Sequence, residues 1–262
     1  MKRLREIFRL AKVEDNEDIF TGIVTEDGVV KSSFMEDTSM SFTLFAYIKN
    51  NSEIIEDNIY VTKKIRSIDT KVKGIEPLSI VQISGEEYTQ YNQNRIRLNK
   101  LLKSNIKNER LEKILAKRKE PVIYESLTLG KFELDRRLDW FEGKTDWNGR
   151  LIDICLIGEH DKLDSLEKKA VLIVQNHQDW DTYIKEKICE ELLSLKNETW
   201  LEEDEKPLTA DEFISRIYLE SISVNDTDEF QMNFNDGDIF WGHAITVETD
   251  LKKNIEDIGI EG

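Results

Sequence analysis

The chain has 262 residues, 53 acidic against 37 basic side chains and a formal charge of −16, with 39% hydrophobic residues, 12 Gly and 3 Pro. That length buries a sizeable core in one or two domains without disulfide or metal staples. The composition excludes collagen, disordered low-complexity chains and disulfide scaffolds, and an acidic chain does not bind nucleic acid over its whole surface.

The charge is unevenly spread. Residues 1–120 hold 22 Lys/Arg against 19 Asp/Glu, a net of +3, whereas residues 121–262 hold 15 against 34, a net of −19. The objection to nucleic acid therefore applies to the second part only. We expect residues 1–88 to form a short amphipathic helix and a β-rich domain. Residues 89–120 should form a basic helical connector, and 121–262 an acidic α+β domain.

At the N-terminus, Leu4, Ile7, Phe8 and Ala11 fall at helical spacing among Lys2, Arg3, Arg5, Arg9 and Lys12. Packing on its own domain or on a partner is the reading preferred over a membrane surface, because one short helix binds membranes weakly. No apolar run approaches the roughly 20 residues of a spanning helix, and no apolar core of a signal peptide follows the basic start. Two cysteines, Cys155 and Cys189, without paired spacing fit a reducing cytoplasm.

Residues 19–84 read as strands. Ile19–Thr25 runs into Asp27-Gly28, a hairpin turn signal, and then Val29-Val30. Ser39–Ile48, Asn58–Lys63 and Leu78–Ile83 follow, rich in branched and aromatic residues. Such strands make a small barrel or sandwich, the oligonucleotide-binding barrel being one form. Over 89–119, Ile96, Leu98, Leu101, Leu102, Ile106, Leu111, Ile114 and Leu115 recur at mostly helical intervals. Ten basic residues from Arg95 to Lys119 accompany them, and Pro121 stops the pattern. This strip suits a phosphate backbone, the solvated face of a connector, or neutralisation of the acidic part.

The second part opens with a strand at Leu129–Leu134. Leu138–Trp147, the Asn148-Gly149 turn and Leu151–Ile157 then make a hairpin. Leu163–Gln175 is helical, and Trp180, Tyr183, Ile184, Ile188, Leu192 and Leu195 stripe a second helix. Thr209-Ala-Asp-Glu212 is a capping box. Strands at Tyr218–Val224 and Glu229–Phe234, a turn at Asn235–Asp238 and a last long strand at Ile239–Glu248 complete an α+β domain with an antiparallel sheet and two or three helices.

No phosphate loop, dinucleotide fingerprint, nucleophile elbow or His-Glu-x-x-His motif occurs. Cys155, His160, His177, Cys189 and His243 match no zinc spacing, and no cofactor is expected. Asn225–Glu229 and Asn235–Asp238 bracket one strand, so Asp226, Asp228, Asp236 and Asp238 are candidates for a cation or for acid/base chemistry, although Asp and Asn beside Gly are also what turns require. Period-two alternation places His243 with Trp241 and Ile245, the setting of a hydrogen-bonded core residue more than of a catalyst.

Leu129–Gly149, with its Leu-Gly-Lys-Phe-Glu-Leu and Asp-Trp-Phe-Glu-Gly runs, resembles the opening of a bacterial domain-of-unknown-function family. Asn197–Glu205 and Asn235–His243 resemble its later motifs, so the resemblance covers about 127–262. It implies a bacterial cytoplasmic protein with no assigned reaction, and by analogy an immunity or accessory factor. The expected function is non-enzymatic binding of a basic protein by the acidic domain, through Trp140, Glu142, Asp146, Trp147, Glu202, Glu203, Asp204, Asp226 and Asp228. A metal-dependent or acid/base enzyme using His243, Asp236 and Asp238 is the alternative. A second alternative is nucleic-acid binding confined to residues 1–120.

Overall fold

A computed structural model describes residues 17–34 and 37–262. The expected N-terminal helix lies outside them. The fold is mixed α+β and strand-rich, with four α-helices and two sheets among the described residues, and divides into two compact units, 1–120 and 121–262.

The first unit contains β1 (Asp18–Val24), β2 (Val30–Phe34), β3 (Asp37–Lys49), β4 (Ile54–Ile55), β5 (Ile59–Ile65), β6 (Ile80–Gln90), β7 (Gln93–Lys103) and α1 (Glu109–Lys119). The pairing runs β1-β6-β7-β5-β3 and returns from β3 to β1, which closes five strands into a barrel. All pairs are antiparallel except β5–β7. Alternation along each strand sends Phe20, Phe42, Leu44, Ile59, Val61, Val81, Ile83, Ile96 and Leu98 inside. Gly85 permits the closure: a Cβ there would sit 2.6 Å from the Arg97 carbonyl oxygen across the β6–β7 pair. Outside the barrel, α1 packs Leu111 on Ile23, Ala46, Ile48 and Ile80.

Two expectations are corrected here. The hairpin does not turn at Asp27-Gly28, because β2 pairs with β3 rather than with β1. Nor is 89–119 one connecting helix. Residues 93–103 form β7, paired on both sides, and only 109–119 are helical, capped by the Asn108 side chain. Ile96 and Leu98 are two apart, the strand period, and the barrel interior takes both. The basic strip is thus split between a strand and a helix.

The second unit has β8 (Ile123–Ser126), β9 (Gly130–Asp135), β10 (Trp140–Trp147), β11 (Arg150–Ile157), α2 (Leu163–Gln175), α3 (His177–Thr199), α4 (Ala210–Arg216), β12 (Tyr218–Asn225), β13 (Glu229–Asn235), β14 (Ala244–Asp250) and β15 (Ile255–Glu261). Its eight strands are ordered β15 through β8 as one sheet. The sheet is not wholly antiparallel as expected, because β11 pairs parallel to β12 and the chain between them passes through all three helices. Those helices cover one face. On α3 the positions 180, 184, 188, 192 and 196 are buried, so the stripe follows a strict interval of four and ends on a lysine, while Leu195 is 39% exposed. The expected strand at Ile239–Glu248 begins only at Ala244, and β15 was not foreseen. No helix of the described residues is long and apolar enough to cross a membrane.

Candidate functional site

The segment between β13 and β14 is held by an anion. Asp236 is 1% exposed, and its carboxylate accepts the backbone N–H of Asp238 at 3.0 Å, of Phe240 at 2.6 Å and of Gly242 at 3.2 Å. Three N–H donors replace the water a buried carboxylate loses. Following those bonds takes the chain through positive φ at Gly237, Asp238, Trp241 and Gly242. Period-two alternation fails for this reason: Ile239 and Phe240, adjacent in sequence, are both fully buried, while Trp241 is 57% exposed.

The end of α3 meets this loop. The Trp200 ring lies 5.5 Å from Phe240, 4.8 Å from Trp241 and 5.4 Å from His243, centroid to centroid. His243 donates through Nδ1 to the Phe240 carbonyl at 2.5 Å, which ties its ring to the loop. Asn197 clamps Leu208 through both backbone groups, at 2.8 and 2.9 Å, and so closes the loop that begins at Trp200. Within that loop Glu205 receives the buried Lys196 ammonium at 2.6 Å and has Arg216 at 4.0 Å. The Lys196 hydrogen bond, then the Glu202 backbone N–H, hold the Glu205 carboxyl below its ordinary range. Arg216 donates in turn to the Gly237 carbonyl at 3.2 Å. Two segments about forty residues apart in sequence therefore build one surface, with Trp241 at its centre and the exposed Glu202, Glu203 and Asp204 on the adjoining loop.

The other acidic candidates sit elsewhere. Asp226 and Asp228 precede β13 and Asp236 and Asp238 follow it, so the strand separates the pairs by roughly 20 Å. The Lys162 ammonium meets Asp226 at 2.7 Å. Lys169 donates to the carbonyls of Asn225 at 3.2 Å, Glu229 at 3.3 Å and Thr227, so a lysine fills the concave side of the turn where a cation would go. Burial pushes the Lys169 amine down against the pull of Asp228, Asp226 and Glu229. Among the described residues no cluster of three His, Cys, Asp or Glu side chains is arranged to hold a metal.

Trp147 is buried and donates its Nε1 to Asp181 at 2.9 Å, so it is core rather than contact surface. Trp140 is half-buried and donates to the exposed Glu142 at 2.6 Å, and Asp146 accepts the Gly149 N–H within its hairpin. Both cysteines are free. Burial, then Glu142 and Asp153, pushes the Cys155 thiol up to about 11, and burial raises Cys189 as well, so neither is a thiolate nucleophile at neutral pH. Sequence reading passed over Lys196, Arg216 and Lys169. Only the interval of four on α3 pointed to the first.

No curated protein and no solved structure matches the chain. A family model described as an uncharacterized protein conserved in bacteria matches residues 126–260, from the end of β8 into β15. That match spans just over half of the sequence and contains both segments of the Trp200–Trp241 surface, so the chain belongs to the DUF2262 family.

Proposed function

We propose that the chain is a non-enzymatic bacterial cytoplasmic binding protein of the immunity or accessory type, whose acidic DUF2262 domain engages a basic protein partner through the Trp200–Trp241 surface. The observation that carries this reading is Trp241 itself. A bulky residue at φ +58 costs on the order of 1–2 kcal/mol, and although its ring packs on Trp200, 57% of the residue stays exposed. A buried carboxylate and a second indole nevertheless fix it in place. Fixed exposed indoles attract Lys and Arg side chains over their faces, worth about 0.5–2 kcal/mol each. Glu202, Glu203 and Asp204 add the matching charge, and the −19 of residues 121–262 steers a cationic protein on approach.

The reading is tested by titrating the full chain with an arginine-rich synthetic peptide while following tryptophan fluorescence at low and high salt. Saturable quenching that weakens with salt and is lost in Trp241→Ala supports it. Absence of saturable quenching, or quenching unchanged in Trp241→Ala, overturns it.

A further inference from the structure

We propose that the outer face of β5, β6 and β7, with the β6–β7 turn, binds single-stranded nucleic acid, bases on its tyrosines and phosphates on its cations. This is independent of the reading for the DUF2262 domain and does not use α1.

The placement follows from register. Ile59, Val61, Ile96 and Leu98 point into the barrel, so Tyr60, Thr62 and Lys64 on β5 and Arg95, Arg97 and Asn99 on β7 point out. Tyr60 is paired with Arg95 across β5–β7, and Arg95 with Tyr88 across β6–β7. One level on, Thr62 is paired with Arg97 and Arg97 with Glu86. Guanidinium and ring thus alternate: Arg95 stands 4.9 Å from the Tyr60 centroid and 6.0 Å from that of Tyr91, and Arg97 5.1 Å from that of Tyr88. The Tyr88 hydroxyl and Thr62 Oγ1 are 3.1 Å apart, which fixes the Tyr88 ring on this face. A groove of about 830 Å³ runs beside them, with Lys64, Gln90 and Asn99 among its lining residues.

Two details are unexplained by stability. Tyr91 is 83% exposed at φ +51 in the two-residue turn, a position that suits Asn or Gly, so an aromatic ring is held in water at a conformational cost. Arg95 Nε is shielded from solvent and makes no hydrogen bond, and the guanidinium's hydrogen bond to Gln93 Oε1 is long, at 3.4 Å, so the group rests on the Tyr60 ring more than on a polar partner.

The chemistry selects the ligand. Rings and guanidinium planes at adjacent strand positions offer successive stacking platforms, and cations beside them suit a phosphate chain. A duplex keeps its bases stacked inside and leaves the rings idle. The carboxylates now facing the cations are weak competitors, because the Lys64–Asp37 and Arg97–Glu86 pairs are exposed on both sides.

Fluorescence anisotropy with the full chain tests this, using labelled oligothymidylate and oligouridylate of twelve nucleotides and a duplex of equal length. Saturable binding of one or both single strands, tighter than the duplex and weakened between about 50 and about 200 mM salt, is expected. Tyr60→Ala and Tyr91→Ala should each weaken binding about five- to hundredfold, while Tyr60→Phe, which keeps the ring, should bind as wild type. Tyr91→Ala guards against misfolding, since its side chain lies in solvent. Failure of both single strands to bind at low salt, duplex binding as tight, or unchanged affinity in a Tyr91→Ala protein with wild-type melting overturns the proposal.

Discussion

The Lys196 ammonium, last in the buried stripe of α3, donates to the Glu205 carboxylate at 2.6 Å and to the Trp200 carbonyl at 2.9 Å. One cation thereby ties the helix end to the loop behind Trp241. Lys196 is 1% exposed and Glu205 a quarter, so removing the lysine leaves a carboxylate and a carbonyl short of a donor in a poorly hydrated place. Lys196→Met should lower stability by about 2 kcal/mol in urea titration. The pair also has a pH signature. The folded-state pKa of Glu205 is depressed, so its contribution is present above the unfolded carboxyl value of about 4.3 and is lost as pH falls through the folded value. Glu205→Gln should flatten the acid limb of the stability curve. Parallel acid limbs for mutant and wild type would show that the pair contributes nothing.

Gly237 and Gly242 share a loop and a positive φ, at +59 and +83, yet differ in surroundings. A Cβ on Gly237 would lie 2.4 Å from the Arg216 carbonyl oxygen, whereas one on Gly242 meets nothing within 4 Å. Gly242→Ala should therefore cost only the left-handed backbone, about 1 kcal/mol. Gly237→Ala must also move α4 or the loop and should cost several times as much. Thermal unfolding of the two variants checks the ratio, and equal losses would refute the close approach.

How far the sequence could be read follows from what each residue depends on. Local codes were legible. Asn148-Gly149 turns between β10 and β11, and Thr209 with Glu212 forms the capping box in both directions. Both signals act within a few residues. The β7 segment was misread because apolar residues two apart and three apart both occur there, and only the partners β5 and β6 select the strand period. The loop at 236–243 was misread for a related reason. Its course is set by one buried carboxylate bonded up to six residues ahead, which alternation cannot express. His243 and the acids at 202–204 were picked out in the sequence. That Trp200 and Trp241 stack, and that Asp226 and Asp228 face lysines instead of Asp236, required the tertiary structure.

Asp236→Asn tests the loop directly. The amide keeps one acceptor oxygen and turns an NH₂ group towards donors that the carboxylate now accepts. A loss of about 2–4 kcal/mol is expected, from unpaired buried N–H groups and the misplaced amide. Because Trp241 is positioned by those bonds, its emission should shift towards that of a free indole before global unfolding. An unchanged spectrum with unchanged stability would show that the loop holds itself without the anion.

At the other edge of the sheet, the Tyr124 hydroxyl donates to Glu167 on α2 and lies 3.2 Å from Asp164, while the Ser126 hydroxyl donates to the second Glu167 oxygen at 2.5 Å. These bonds dock β8 onto the helix. Burial, then the neighbouring Glu167, pushes the Tyr124 phenol well above its ordinary value, because ionising it would oppose a carboxylate and destroy the donor. A group whose folded pKa is raised contributes stability below its unfolded pKa, about 10 for tyrosine, and loses it as pH rises through the folded value. Wild-type stability should therefore fall above about pH 10, more steeply than that of Tyr124→Phe. The phenylalanine variant keeps the ring contacts with Phe132 and Phe141 at 6.3 and 6.2 Å, so at neutral pH it should lose only about 1 kcal/mol for the hydroxyl. Urea titrations of both proteins from neutral to alkaline pH separate the two effects. If the two alkaline limbs coincide, the phenol is not the group that Glu167 keeps protonated.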